Sequence, residues 1–255
     1  MVKVIEKNIW QTYECKKEDL PQYAIDGINS WTMNNPSWDH NYMSAEDREH
    51  FFKYEYSKEI YDTYMKMPMG VMKAGLWRFA ILHAYGGVYA DLDTTCINKI
   101  SRWLPQYYDM VVGLEGDTPW YATQVIAAKS GHPFLKDAID LCVERVKLGD
   151  WSIPNMVHYY TDVAMFTDSL MNSMGLPPHE GDLRIKAAEY NDSELAKENK
   201  FFSYSGDQAR CLLDKHVQHL YWGDTGRKEG YIAWKADPLV NQSYKDGFDP
   251  KDWTE

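Results

Sequence analysis

Cysteine is scarce. The four thiols, Cys15, Cys96, Cys142 and Cys211, stand far apart with no pair at metal-ligand spacing, so neither a disulfide framework nor a cysteine-held zinc is indicated. They read as reduced thiols, many of them buried, in a reducing compartment. Positive charge is also in deficit: the formal net charge is -11, which argues against broad binding to nucleic acid or to an anionic membrane. No apolar run approaches the roughly 20 residues of a membrane span. The opening Met1-Val2-Lys3-Val4-Ile5-Glu6-Lys7 is too polar for a signal peptide. The expectation is therefore a soluble, cytoplasmic protein without a membrane span. Repeats and low-complexity tracts are missing too.

Aromatic residues are abundant, with ten tryptophans and nineteen tyrosines. Each offers an apolar face and a polar edge, which suits both a packed core and stacking on sugar rings or bases. Strand and helix signals alternate along the chain. Val4 to Tyr13 reads as a strand, Tyr23 to Trp31 as a helix, and Trp38 to Met43 as a second strand after the Asn34-Asn35-Pro36 turn. Ser44 and the acids behind it start a long helix toward Met65, whose charges suggest a solvated face. Later strands are expected at Met110–Leu114, Gln124–Ala128 and Phe201–Tyr204, with helices from Pro133 through Val146 and from Asp162 to Met174. Such alternation predicts an α/β layered fold with a mostly parallel sheet, whose ligands bind at the carboxyl ends of the strands.

The chain is organised around one stretch. Val71 to Ala84 is an apolar helical run ended by the Gly86-Gly87 pair. Val88-Tyr89-Ala90 is a short strand buried on both faces, and Asp91-Leu92-Asp93 follows where that strand runs out. In extended chain Asp91 and Asp93 share one side, and two like charges there call for a cation. Hard oxygen ligands favour Mn²⁺ or Mg²⁺.

The run from Arg78 through Gly86-Gly87 to Asp91-Leu92-Asp93 closely resembles the sugar-binding region of DXD glycosyltransferases of the family 32 type. That family holds the yeast initiating α-1,6-mannosyltransferase and bacterial capsular polysaccharide transferases, and the chain also resembles the short catalytic domains of chlorella-virus glycosyltransferases. Ile9-Trp10-Gln11-Thr12-Tyr13, Asn35-Pro36-Ser37-Trp38, Gly131-His132-Pro133-Phe134 and Val217-Gln218-His219-Leu220-Tyr221-Trp222 resemble further segments of it. The resemblance implies a GT-A-type, Rossmann-like fold with a mostly parallel central sheet flanked by helices. It implies one catalytic domain over 1–255, with a nucleotide-sugar half (1–130) and an acceptor-side half (131–255). It implies a retaining, metal-dependent transferase, bacterial or viral in origin, moving a sugar from a UDP- or GDP-linked donor to a glycan or glycoprotein acceptor.

Residue by residue, Gln11, Thr12 and Tyr13 would line the donor site, with Tyr13 on the base, and Tyr89 would lie near base and ribose. Asp91 would touch ribose and metal, Asp93 the metal, and Arg78 the donor hydroxyls or Asp91. His219 would be a third metal ligand, with His216 in reserve. Trp151, Trp222 and Trp234 are candidate sugar platforms on the acceptor side. Two positions depart from the family pattern: Gly75 stands where an aspartate is usual three residues before the arginine, and Asp162-Val163 replaces a Gly-Pro pair. Both bear on the identity of the donor sugar.

Two other classes use the same features. Asp91-Leu92-Asp93-Thr94-Thr95 also fits the nucleophile motif of haloacid-dehalogenase-like phosphatases, with Asp91 attacking phosphorus to form an aspartyl-phosphate and Asp93 as acid/base. That motif normally sits on the first strand, and Gly206-Asp207 and Gly223-Asp224 only half-match the late acidic pair such enzymes need. A non-catalytic sugar-binding module would explain the aromatics but not the paired aspartates.

Overall fold

The structure is a computed structural model and describes residues 5–114, 120–153, 156–177, 183–204 and 217–219. Strand β1 (Asn8–Thr12) leads through a 3-10 turn to helix α1 (Gln22–Asn34) and strand β2 (Asp39–Met43). The expected long helix from Ser44 is two. Ser44 caps α2 (Ala45–Glu55) through a reciprocal capping box with Asp47. The chain then turns extended at Tyr56, and Ser57 caps a new helix, α3 (Lys58–Lys66). Helix α4 (Gly70–Tyr85) ends at Gly86, where φ is +63° and the amide donates back to Leu82 O. Gly87, at φ +113°, opens β3 (Gly87–Ala90), so the paired glycines make the reversal that side-chain-bearing residues resist.

The remaining elements are β4 (Thr94–Cys96), β5 (Met110–Leu114), β6 (Tyr121–Ala128), α5 (Pro133–Leu148), α6 (Met156–Thr161), α7 (Val163–Ser173), α8 (Leu183–Asn191), α9 (Glu194–Glu198), β7 (Phe201–Ser203) and β8 (Val217–His219). Six strands form one sheet in the order β2-β1-β3-β6-β5-β7, and β4 pairs with β8 apart from it. Pairs β2–β1, β1–β3 and β5–β7 are parallel, whereas β6 runs antiparallel to both its neighbours. The sheet is thus mostly parallel with one reversed strand, whose apolar sequence carries no sign of its direction.

Side chains alternate across this sheet with period two. Trp10, Tyr89, Met110, Val112 and Ile126 face the layer made by α2, α4, α5, α6 and α7. Ile9, Val88, Ala90, Val111 and Val125 face the other way, against Trp31 of α1 and Trp103. Helix α4 is buried over most of its length, from Gly75 to Leu82 without a break, which fits a sequence that is apolar there except at Arg78. Among the described residues no helix is long and apolar enough to cross a membrane.

Candidate functional site

At the carboxyl ends of β1 and β3 the sequence-predicted residues come together. β3 stops at Ala90, and Asp91 to Thr94 form a tight turn in which the Thr94 amide donates to Asp91 O at 3.1 Å. Asp91 and Asp93 therefore stand in a turn rather than on an extended chain, and the period-two reason for pairing them does not hold. The turn is fixed from several sides. The Asp91 carbonyl accepts from Thr94 Oγ1 at 2.6 Å and from Gln11 Nε2 at 3.3 Å, and the Asp91 amide donates to Gln124 O at 2.8 Å. Leu92 is buried against Leu20, Ala24 and Ile28 of the α1 region. Gly27 of α1 lets that helix lie on the turn: a Cβ there would meet Leu92 O at 2.6 Å.

Behind the turn stands Arg78, 6% exposed on the buried face of α4. Its Nη2 lies 3.6 Å from Asp91 Oδ1, its Nη1 lies 3.4 Å from Asp162 Oδ1, and its Cζ sits 5.0 Å from the centre of the Tyr89 ring. The Tyr89 hydroxyl donates to Asp91 Oδ1 at 2.5 Å. Burial, opposed by Arg78 and reinforced by Asp91, pushes the Tyr89 phenol well above its ordinary range, so it stays protonated as that donor. Tyr89 is 2% exposed, so it orients Asp91 rather than presenting a face to solvent.

Gln11 and Thr12 are buried, and their side chains are engaged within the protein. Gln11 links the Asp91 carbonyl to His40, whose Nε2 lies 2.8 Å from Gln11 Oε1. Burial, with Lys17 adding to it, holds the His40 imidazole at about 4. Thr12 Oγ1 donates to Met43 O and accepts from Arg48 Nη1, both at 2.5 Å. Tyr13 remains partly exposed beyond the end of β1, its hydroxyl 3.4 Å from that of Tyr23.

Arg48 is the residue the sequence did not single out. It lies on α2, whose charges read as a solvated face, yet it is wholly buried. It donates to Thr12 Oγ1, to Tyr13 O at 3.0 Å and to Glu14 Oε1 at 2.5 Å, pinning the loop that carries Tyr13. The only sequence signal was a phenylalanine pair three residues on, which marks that face of α2 as buried.

Asp162 joins the site from the far side of Arg78. It accepts from Thr123 Oγ1 at 2.5 Å and from His158 Nδ1 at 2.9 Å. Burial works to raise its carboxyl, but His158, Arg78 and Thr123 together hold it well below the usual carboxylate range. Thr123 lies where the β5–β6 register shifts, between the Val112–Ile126 and Leu114–Tyr121 pairs. Gly75, the other departure from the family pattern, is where α6 rests on α4: a Cβ there would meet Thr161 O at 2.6 Å.

The candidate donor set for a cation, Asp91 and Asp93, both partly exposed, would offer oxygen ligands. That chemistry fits Mg²⁺ or Mn²⁺, which are commonly held by one or two carboxylates together with substrate phosphates. No group of three or more histidine, cysteine, aspartate or glutamate side chains fit for a metal occurs among the described residues. The backbone of His219 pairs with Thr94, one residue from Asp93. His216, Trp222 and Trp234 lie outside the described residues. Trp151 is partly exposed and packs against the main core with its ring 4.9 Å from that of Tyr160.

Residues 21–109 match the family model described as "Glycosyltransferase sugar-binding region containing DXD motif". The chain is similar to the initiation-specific alpha-1,6-mannosyltransferases of Schizosaccharomyces pombe (28% identical over 198 residues) and Candida albicans (28% over 176). These alignments cover 66% and 58% of this chain but 48% and 46% of the relatives, so the chain spans about half the length of the curated relatives it matches. The solved PaToxG glycosyltransferase superposes with a TM-score of 0.56 at 14% identity, over 96% of this chain and 87% of that one. The fold is therefore the GT-A-type α/β fold, and residues 21–109 are similar to the DXD sugar-binding region of glycosyltransferases.

Proposed function

We propose, from the premise of a DXD sugar-binding region in a GT-A-type fold, that this chain is a metal-dependent glycosyltransferase. It takes a sugar from a nucleotide-diphosphate donor, UDP- or GDP-linked, and passes it to a glycan or glycoprotein acceptor. Mannose is the first sugar to test, because the relatives are mannosyltransferases by name. One observation carries the reading: Asp91 and Asp93 share a fixed turn at the carboxyl ends of two parallel strands, backed by a buried arginine. Loops there are the usual ligand site of such sheets.

When bound, Mn²⁺ or Mg²⁺ neutralises the diphosphate and stabilises the charge that grows as the sugar leaves. Asp91 and Asp93 would hold that cation, and the pairing of the His219 backbone with Thr94 keeps His219 as the candidate for a further ligand. Tyr89 keeps Asp91 oriented, and Arg78 offsets its charge. Tyr13 stacks on the base, while Gln11 and Thr12 act on the donor by holding the Asp91 turn and the Tyr13 loop. Retention of configuration follows from a front-face displacement in which the leaving phosphate takes the acceptor proton.

The test is calorimetric titration of nucleotides and nucleotide sugars with and without Mn²⁺. Binding of UDP or GDP that needs the metal is expected, and Asp93→Ala should weaken it by about 100-fold or more, the scale of losing a main charge-stabilising contact. No nucleotide binding, with turnover of a generic aryl phosphate in Mg²⁺, would instead support the phosphatase chemistry that Asp91-Leu92-Asp93-Thr94-Thr95 also allows.

A further inference from the structure

Arg78 divides the site into two sides. Its Nη2 faces Asp91, on the side of the DXD turn, and its Nη1 faces Asp162, which reaches it from the junction of α6 and α7. That reach depends on a close helix crossing. Gly75 has no side chain, so Thr161 at the end of α6 seats directly on α4, and the next residue, Asp162, arrives one turn along α4 from that crossing. Asp162 precedes α7 yet does not cap it with its side chain, since the carboxylate is turned to Arg78 instead.

Three donors from three elements fix this carboxylate: Thr123 of β6 and Arg78 of α4 on Oδ1, and His158 of α6 on Oδ2. An ionised carboxylate accepts about four hydrogen bonds, so one acceptor site remains, and the side chain is still 20% exposed. A carboxylate oriented by its neighbours and open on one lone pair is a ready acceptor for a hydroxyl. It is a poor neighbour for a diphosphate, which it repels. Neutral hydroxyls suffer no such repulsion, and Arg78 stands between Asp162 and the turn that would face the phosphates.

We infer that Asp162 is a specificity-determining residue that accepts a hydroxyl of the sugar carried by the donor, with Arg78 and His158 holding it in place. The inference rests on the nucleotide-sugar reading and goes beyond it by naming the group that tells one sugar from another. It makes Gly75 and Asp162 one device: the small residue on α4 admits the helix whose end delivers the carboxylate.

The experiment compares Asp162→Asn and His158→Gln with the unaltered full chain in Mn²⁺. Affinity is measured for the nucleoside diphosphate alone, for the tightest sugar conjugate and for its singly deoxygenated sugar analogues, with melting temperature recorded for every variant. Asp162→Asn should weaken the sugar conjugate about 10-fold or more, the scale of a lost hydrogen bond to a charged group. Nucleoside diphosphate affinity should stay within about twofold, and one deoxy analogue should bind the variant and the unaltered chain alike. His158→Gln should show the same selectivity in milder form. Equal loss for diphosphate and conjugate would make Asp162 a structural partner of Arg78 and overturn the assignment, as would no change for any ligand. If the unaltered chain bound no nucleotide, the donor reading itself would fall and this assignment with it.

Discussion

At its amino end the sheet borders a cavity of about 420 Å³, lined among others by Lys7, Trp38, Lys99 and Tyr108. At its carboxyl end stands a group of side chains that hold one another: Arg78 between Asp91 and Asp162, Tyr89 on Asp91, Arg48 on the Tyr13 loop. The first end has room and the second has fixed chemistry. Binding sites join a concave space to a few convergent, oriented polar groups. Only the carboxyl end has such groups in number, with two buried guanidiniums and a carboxylate held far into its ionised form.

The comparison can be broken most severely at Arg78. Arg78→Met leaves Asp91 and Asp162 without their shared cation, and removing one partner of a buried ion pair costs about 3–5 kcal/mol. Urea denaturation should register that loss. A change below about 1 kcal/mol would mean that solvent screens these 3.4 and 3.6 Å contacts. Next in size is Gly27→Ala, which drives a methyl group toward Leu92 O and should cost about 1–3 kcal/mol by overpacking. Because the strain falls on the DXD turn, Mn²⁺-dependent nucleotide affinity should drop with it; stability lost at full affinity would show that the turn yields without consequence.

Acidity probes one histidine tied to each end, His40 half-buried and His132 buried. His40 reaches Asp91 through Gln11, and His132 caps α5 beside a smaller amino-end cavity; burial holds both imidazoles at about 4. The unfolded chain takes up these protons near pH 6.5. Their stabilisation is therefore complete above that value and is lost as pH falls from 6.5 toward 4. The melting temperature should drop between pH 7 and pH 5, and His132→Asn should flatten that drop without changing nucleotide affinity; a pH-independent melting temperature would contradict the burial assigned to both rings. The smallest effect is expected from Lys99→Ala in the amino-end cavity. Nucleotide affinity within about twofold of the unaltered chain and stability within about 0.5 kcal/mol are predicted by calorimetry and denaturation. A tenfold loss of affinity there would reverse the contrast between the two ends.

Much of this was legible before the fold was known. The apolar-rich run of α4, the paired glycines and the three residues Val88, Tyr89 and Ala90 of β3 put the aspartates at a strand's carboxyl end, because each feature has a local cause. What escaped reading depends on contacts distant in sequence. Arg48 looks like any charge on a polar helix until Thr12, Tyr13 and Glu14 arrive to satisfy it. The reversal of β6 is set by its neighbours, and an apolar run reads the same in either direction. The break between α2 and α3 was marked only by Ser57, one of many serines. Asp162 stood out merely as a departure from a pattern, and its meaning needed the α4–α6 crossing at Gly75.

The short ribbon made by β4 and β8 has a consequence for how the site is supported. Thr94, directly after the aspartates, pairs with His219, so the segment flanking the DXD turn comes from far along the chain. Closing the loop from Cys96 to Val217 costs chain entropy, which is repaid only by contacts that exist once the intervening strands and helices are in place. The turn therefore has one set of supports from β3, α1 and Gln11 and another supplied from far along the chain.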